Sequence, residues 1–231
     1  MQSANLLLAS LSASDAAAIV PHLRSVQLEH QSILFDAGDP IKAVYFPTGA
    51  IISLVVGLST GEMVEAAMVG KDGVVGAASA LDGKISLNRA IVQISGTSLV
   101  CDVDALRGAA LQSQSLLAKL VRHEQTVFAQ AQQSTACMAT HDVEARLCRW
   151  LLRARDLSGS DTLLFTQEFL AEMLGVRRTS VTSVAHTLQR AGMIKYTRGK
   201  IQILSVDGLR ETTCECYETI NSQYRALLGD H

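Results

Sequence analysis

Arg177 and Arg178 are followed by Thr179, Ser180, Thr182 and Ser183, with apolar Val181, Val184, Ala185 and Leu188 set among and after them. An arginine fork donates two parallel hydrogen bonds to a guanine edge or a phosphate. Short hydroxyl side chains let a backbone approach closely and bind phosphate. That combination suits a polyanion with readable edges, so double-stranded DNA is the first candidate partner. The apolar spacing of 3, 1 and 3 predicts a helix with the arginine pair at its N-terminal end. In a helix-turn-helix that end points at base edges in the major groove.

Other elements must hold this helix in place. Thr166 is predicted to cap a preceding helix whose apolar side is Phe169, Leu170, Met173 and Leu174, with Phe165 as the staple residue. Gly175 supplies the left-handed turn between the two helices. Ile194 and Tyr196 then alternate into a turn at Arg198-Gly199, and Ile201 and Ile203 alternate out of it, which predicts a hairpin with basic residues at its tip. Between Phe165 and Ile203 the pattern is a winged helix-turn-helix. The competing reading is a pair of solvated surface helices, for which an arginine pair alone would be mere surface charge. Cap, glycine turn, exposed hydroxyls and basic wing agree with one another and favour DNA.

The chain has 231 residues and 48% hydrophobic content, enough for two packed domains. Its apolar runs are too short for a membrane span, and it starts without a cleavable apolar segment, so we expect a cytoplasmic protein. The net charge of −2 conceals an asymmetry. Residues 144–200 carry 10 Lys/Arg against 5 Asp/Glu, whereas residues 1–143 carry 8 against 12 and residues 201–231 carry 2 against 5. The one net-positive block contains the helix-turn-helix, and local charge governs attraction to a polyanion. Five cysteines, without a CxxC pair, argue against a disulfide framework. Cys101, Cys137 and Cys148 are expected as core thiols. Cys214 and Cys216 fall in an expected terminal helix, where residues two apart point to different sides. No metal site is predicted.

Residues 3–30 read as helical. From Ile33 to about Asp102, short apolar segments (Val44–Phe46, Ile51–Val56, Val64–Met68, Ile91–Ile94, Leu99–Cys101) alternate with glycine turns, suggesting a sandwich or small barrel. Residues 102–139 lack proline and contain one glycine. Positions 117, 120, 124, 127, 131, 134 and 138 recur at 3-4 spacing, which fits a helix long enough to pack on a copy of itself. We expect a homodimer interface at Leu117, Leu120, Val127, Ala131 and Met138; the alternative is packing on the chain's own β domain. Asp142 is a predicted cap, Thr140–Asp142 a candidate hinge, and Val206–Leu228 a last helix, expected on the DNA-binding part. The domain limits are 1–108 for the β sensor, 109–140 for the helix and hinge, and 141–231 for the DNA-binding part.

A glycine-punctuated β-roll, a long helix and a C-terminal winged helix, in this order, resemble the CRP/FNR family of bacterial transcription regulators over roughly residues 5–204. The carrying residues are Ile33-Leu-Phe-Asp-Ala-Gly-Asp-Pro, Val44-Tyr-Phe and Gly49 in the roll. In the DNA part they are Thr166-Gln-Glu, Leu174-Gly-Val-Arg-Arg-Thr-Ser-Val and Gly192-Met-Ile-Lys-Tyr. The resemblance implies an α+β protein: an N-terminal double-stranded β-helix (jelly-roll, cyclic-nucleotide-binding-like) domain, a long dimerisation helix and a C-terminal winged helix-turn-helix domain. It also implies that Arg178 reads a base, that Thr166, Arg177 and Ser180 touch phosphates, and that Lys200 sits at the wing tip beside Arg198. Thr179 and Ser183 stand where the cyclic-AMP receptors place a glutamate and a second arginine, so the preferred operator differs from theirs. RNA polymerase is a partner by the same resemblance.

In the family, a cyclic nucleotide is held by Gly-Glu-Leu and a later Arg-Ser/Thr-Ala. The matching stretches are Gly76-Ala77-Ala78 and Asn88-Arg89-Ala90. Ala77 replaces the glutamate, and Arg89 comes one residue late, which on a strand means the opposite face. Gly76, Ala77, Asn88 and Arg89 are retained as the candidate effector site, but a cyclic nucleotide is argued against and no cofactor is predicted. The cysteine cluster of the iron–sulfur members is absent, and only Cys101 and His30 could offer a haem ligand from the roll. The resulting expectation is a homodimeric regulator on an inverted-repeat operator, with an effector of unassigned identity. The alternative is a regulatory or scaffold protein whose roll binds a partner protein. No nucleophile motif, phosphate loop or metal spacing points to an enzyme.

Overall fold

The computed structural model of the protein describes residues 3–83 and 85–229. The N-terminus forms short helices α1 (Leu6–Ala9) and α2 (Ala13–Ile19) and a 3-10 turn, then strand β1 (Arg24–Leu28). The expectation of helix throughout 3–30 therefore fails at its end, because β1 pairs with β7 and tertiary pairing overrides local preference. The roll continues through β2 (Ile33–Phe35), β3 (Ala43–Pro47), β4 (Ile51–Gly57), β5 (Met63–Val69), the short helix α3 (Ala77–Leu81), β6 (Arg89–Ile94) and β7 (Gly96–Asp102). Two antiparallel sheets result, ordered β1-β7-β3 and β2-β6-β4-β5.

The apolar runs of β4, β5 and β6 have a physical reason. Ile52, Ala67, Val69, Ala90 and Val92 face the roll interior, while Ile51, Val55, Met68 and Ile91 join the core of the DNA-binding part. A sheet buried on both faces reads as nearly continuous hydrophobic sequence rather than strict alternation. One turn depends on a missing side chain: a Cβ on Gly96 would lie 2.5 Å from the backbone of Gly49. That approach lets Thr48, Gly49 and Ala50 all donate N–H to the Thr97 carbonyl at 3.0–3.1 Å.

Asp102 caps α4 (Val103–Gln112). Ser113 interrupts the helical stretch and caps α5 (Gln114–Thr140), 27 residues and thus about 40 Å long. Asp142 caps α6 (Val143–Ser158), as its sequence position predicts. After β8 (Thr162–Leu164) come α7 (Gln167–Leu174), α8 (Arg178–Arg190), β9 (Ile194–Thr197) and β10 (Lys200–Ile203). The terminal segment is two helices, α9 (Val206–Thr212) and α10 (Cys216–Leu228), not one. Helix α10 packs chiefly on α5: Ile220, Tyr224 and Leu227 enter the roll core, and Tyr224 donates to Gln130 at 2.9 Å. Only Tyr217 reaches the core of the DNA-binding part.

The face of α5 differs by one residue from the expected one. Leu120 and Val127 are buried in the chain's own roll core, whereas Leu117, Ala131 and Met138 are half-buried. The exposed stripe is Ala118, Val121, Gln125, Phe128, Gln132, Thr135 and Ala139, again at 3-4 spacing. Phe128 is 65% exposed. A 3-4 repeat on both stripes left the sequence unable to say which one the roll covers.

Candidate nucleic-acid interface

Helix α7 forms where Thr166 Oγ1 accepts the Phe169 N–H at 3.1 Å, and it ends at Gly175, whose φ of 60° is the left-handed turn the sequence demands. Its buried side is Phe169, Leu170, Ala171, Met173 and Leu174. Helix α8 buries Val181, Ala185 and Leu188, with Val184 half-buried against the same core. Trp150 of α6 packs against the start of α7. It is 1% exposed, with Phe165 at 4.6 Å and Phe169 at 6.3 Å in edge-to-face geometry, pairs worth about 0.5–1.5 kcal/mol each beyond burial.

This core leaves the reading face outward. Arg177, Arg178, Thr179, Thr182 and Ser183 are exposed, and Ser180 is half-buried. Arg177 is the N-cap residue of α8 and makes no side-chain cap, so the first turn keeps donors for an anion, favoured by the helix dipole. Arg178 rests 3.5 Å from Glu168 of α7, with both side chains well exposed. Such pairs are worth roughly 0.2–1 kcal/mol and yield readily to a base or phosphate. Thr182 donates to Gln167 at 2.7 Å and joins the reading helix to the start of α7. The sequence assigns Gln167 no contact of its own, and its place directly after the cap residue is the available signal.

The wing is a three-stranded sheet ordered β8-β10-β9. Strand β8 (Thr162–Leu164) forms in a stretch to which the sequence assigns no element, and pairing with β10 creates it. Arg198 and Gly199 have φ of 40° and 80°, the two positive values that a tight hairpin turn needs. The wing lies beside the α7 cap, since a Cβ on Gly199 would come within 3.7 Å of Thr166 Cγ2. Thr166, Arg198 and Lys200 are exposed. The positive charge of residues 144–200 is sorted by the fold. Arg146, Arg149 and Arg153 are buried, whereas Arg177, Arg178, Arg190, Lys195, Arg198 and Lys200 face solvent.

The candidate effector residues do not form one site. Gly76 and Asn88 line a cavity of about 100 Å³ between the roll and α5, together with Phe35, Leu54, Glu124 and Val127. Ala77 is fully buried. Arg89 points elsewhere, into a 2.6 Å ion pair with Asp36, and that pairing holds the Asp36 carboxyl below its usual range. Small-molecule sites run to about 300–1,000 Å³, and Glu124 in the wall repels an anionic phosphate. Of the two haem-ligand candidates, His30 bonds the Gln93 carbonyl through Nδ1 at 2.8 Å, and burial pushes the Cys101 thiol up to about 11. Among the described residues no helix is long and apolar enough to cross a membrane.

Residues 145–212 match the family model described as the Crp-like helix-turn-helix domain. The transcriptional regulator SdrP of Thermus thermophilus is 33% identical over 102 residues, a stretch covering 42% of this chain and 50% of SdrP. The match thus spans about half the length of that relative. FixK2 of Bradyrhizobium japonicum shares the fold, with a TM-score of 0.71 and 15% identity, over 83% of this chain and 98% of that one. So does a CRP/FNR-family transcriptional regulator of Thermus thermophilus, with a TM-score of 0.66 and 23% identity, over 82% and 97%. The chain thus carries a Crp-like helix-turn-helix domain at residues 145–212, behind a roll and long helix that share the fold of a CRP/FNR-family transcriptional regulator.

Proposed function

We propose that this protein is a homodimeric, sequence-specific regulator that reads an inverted-repeat operator. The observation that carries the proposal is the exposed Arg177–Ser183 face at the uncapped start of α8, flanked by Arg198 and Lys200 on the wing and by the Thr166 cap. Arg178 reads a base edge. Arg177, Ser180 and Thr166 hold phosphates, and the wing residues extend the backbone contact. Thr179 and Ser183 contribute hydroxyls, which read less selectively than charged side chains and set an operator of its own.

The dimer forms through the exposed α5 stripe centred on Val121 and Phe128, and places two reading helices one helical turn of DNA apart, about 34 Å. The domain limits follow as roll, long helix and head, with RNA polymerase a partner by analogy with the family. The cavity beside Gly76 and Asn88 touches α5 through Glu124 and Val127. A small effector that enlarges it would bias the long helix and hence the spacing of the heads. The poor fit to a cyclic nucleotide argues for another ligand there.

The test is selection of genomic fragments on the full chain, followed by binding assays across a salt series. An inverted repeat with half-sites about one turn apart, bound with a steep salt dependence, is the expected result. Absence of DNA binding at low salt by a folded dimer would overturn the proposal and favour a scaffold protein.

A further inference from the structure

Outside the reading face, one cluster of side chains has no role in DNA recognition. The ligand atoms of Cys137, His141, Cys214 and Cys216 all lie within 4.8 Å of one another. Two segments of the chain deliver them. Cys137 and His141 are four residues apart at the end of α5, one helical turn, and so share a face. Cys214 lies before α10, and Cys216 is its first residue. The helical geometry that sends residues two apart to different sides does not apply here, because Cys214 is outside the helix.

We propose that these four residues bind a single tetrahedral, thiophilic divalent cation, of which Zn2+ is the natural occupant, and that the ion clamps the joint between the long helix and the DNA-binding head. The distances select the nuclearity. A tetrahedron with Zn–S of about 2.3 Å has ligand–ligand edges of about 3.8 Å. Cys137 Sγ and Cys214 Sγ are 3.6 Å apart, and Cys216 Sγ and His141 Nδ1 are 3.6 Å apart. An iron–sulfur cluster would separate its cysteines more widely, and a disulfide would need the sulfurs at about 2.05 Å.

The surroundings fit a metal as well as the ligands do. With Nδ1 turned to the cluster, His141 Nε2 faces the Glu215 carboxylate at 3.3 Å, the arrangement that fixes the tautomer of a zinc-bound imidazole. Gln133 donates to Cys216 Sγ at 3.0 Å. Binding exchanges three thiol protons for Zn2+, releasing them to solvent and leaving a site of net charge −1. Buried Arg146 and Arg149, whose Nε–H groups have no hydrogen-bond partner among the described residues, supply positive charge from α6.

The position gives the site its consequence. His141 lies between α5 and α6, at the predicted hinge, and the ion would tie that joint to the start of α10. Its effect on DNA affinity rests on the function proposed above, whereas metal binding does not.

The full chain, purified under reducing conditions and stripped with a chelator, is titrated with Co2+ and then Zn2+. The expected result is one ion per chain, thiolate-to-cobalt charge transfer with the visible bands of a tetrahedral site, and displacement by Zn2+. Zinc should raise the melting temperature by roughly 10 °C. Cys216→Ser and His141→Ala lose the tetrahedral spectrum, Glu215→Gln binds roughly 10-fold more weakly, and Cys101→Ala is unchanged. A cooperatively melting wild-type chain that gives no tetrahedral cobalt spectrum would overturn the proposal. So would a spectrum that survives in both ligand variants, or an iron–sulfur chromophore in the protein as purified. The wild-type titration decides even if a variant fails to fold. If metal binds and DNA affinity does not depend on it, the clamp's link to recognition falls while the site stands.

Discussion

The indole N–H of Trp150, on the first helix of the DNA-binding head, donates to the buried carboxylate of Glu65, on strand β5 of the roll, at 2.9 Å. Ser53 on β4 donates to the other Glu65 oxygen. Head and roll of one chain are thus joined by a polar contact inside an apolar interface, where a displaced partner leaves a buried group unsatisfied. Any roll movement that shifts β5 is felt directly at Trp150, whose neighbours Phe165 and Phe169 position the reading helix.

Glu65 makes this contact pH-sensitive. Burial raises its pKa above the ordinary 4.5, against the lowering effects of Ser53, Arg149 and Trp150. The folded chain therefore keeps this proton to a higher pH than the unfolded chain does. The stability this contributes is fully present below 4.5 and is lost as pH rises through the folded value. Urea denaturation across pH should show a Glu65→Gln variant losing less stability than wild type over that interval. Equal slopes for the two proteins would show that Glu65 ionises normally.

A second buried contact joins the same two parts. Arg153 of α6 pairs with Asp72 at 2.6 Å, and its guanidinium lies 4.4 Å from the centre of the Tyr224 ring. Arg153→Met leaves Asp72 buried without its partner and is expected to destabilise the chain by roughly 3–5 kcal/mol. Adding Asp72→Asn should restore much of that loss. Chemical denaturation of the four proteins in a double-mutant cycle measures the coupling, and simple additivity would refute it.

On the reading face, Arg178→Ala is expected to weaken binding to the selected operator by roughly 1–3 kcal/mol while leaving non-specific binding little changed. Lys200→Ala should instead weaken all sequences alike and reduce the slope of log affinity against log salt by about 0.9. Fluorescence anisotropy on specific and random duplexes over a salt series separates the two roles. Equal losses on both duplexes for Arg178→Ala would mean that it touches only phosphate.

Phe128 lies on the exposed stripe of α5 and Val127 on the covered one. Phe128→Glu is expected to give a folded monomer by sedimentation, because it places like charges opposite each other across a two-fold interface. Val127→Glu is expected to unfold the roll instead, since it buries a carboxylate in the core. A dimer unaffected by Phe128→Glu would place the interface elsewhere.

The sequence by itself determined whatever depends on neighbours in the chain. Thr166 as cap, Gly175 as turn, Arg198-Gly199 as hairpin tip and the apolar spacing of α7 and α8 are local signals, and they defined the reading helix and its exposed residues. The alternation of short apolar runs and glycines likewise made the roll legible. Tertiary structure alone decided which stripe of α5 is covered, because two 3-4 repeats one residue apart look alike until the roll lies on one of them. It turned Arg89 into a partner of Asp36, put Arg146, Arg149 and Arg153 inside, and set Trp150 against Glu65. It also brought Cys137 and His141 to Cys214 and Cys216, more than seventy residues away. Each depends on a distance between segments far apart in the chain, which strand pairing within the roll fixes for Arg89 and the packing of α5, α6 and α10 fixes for the others.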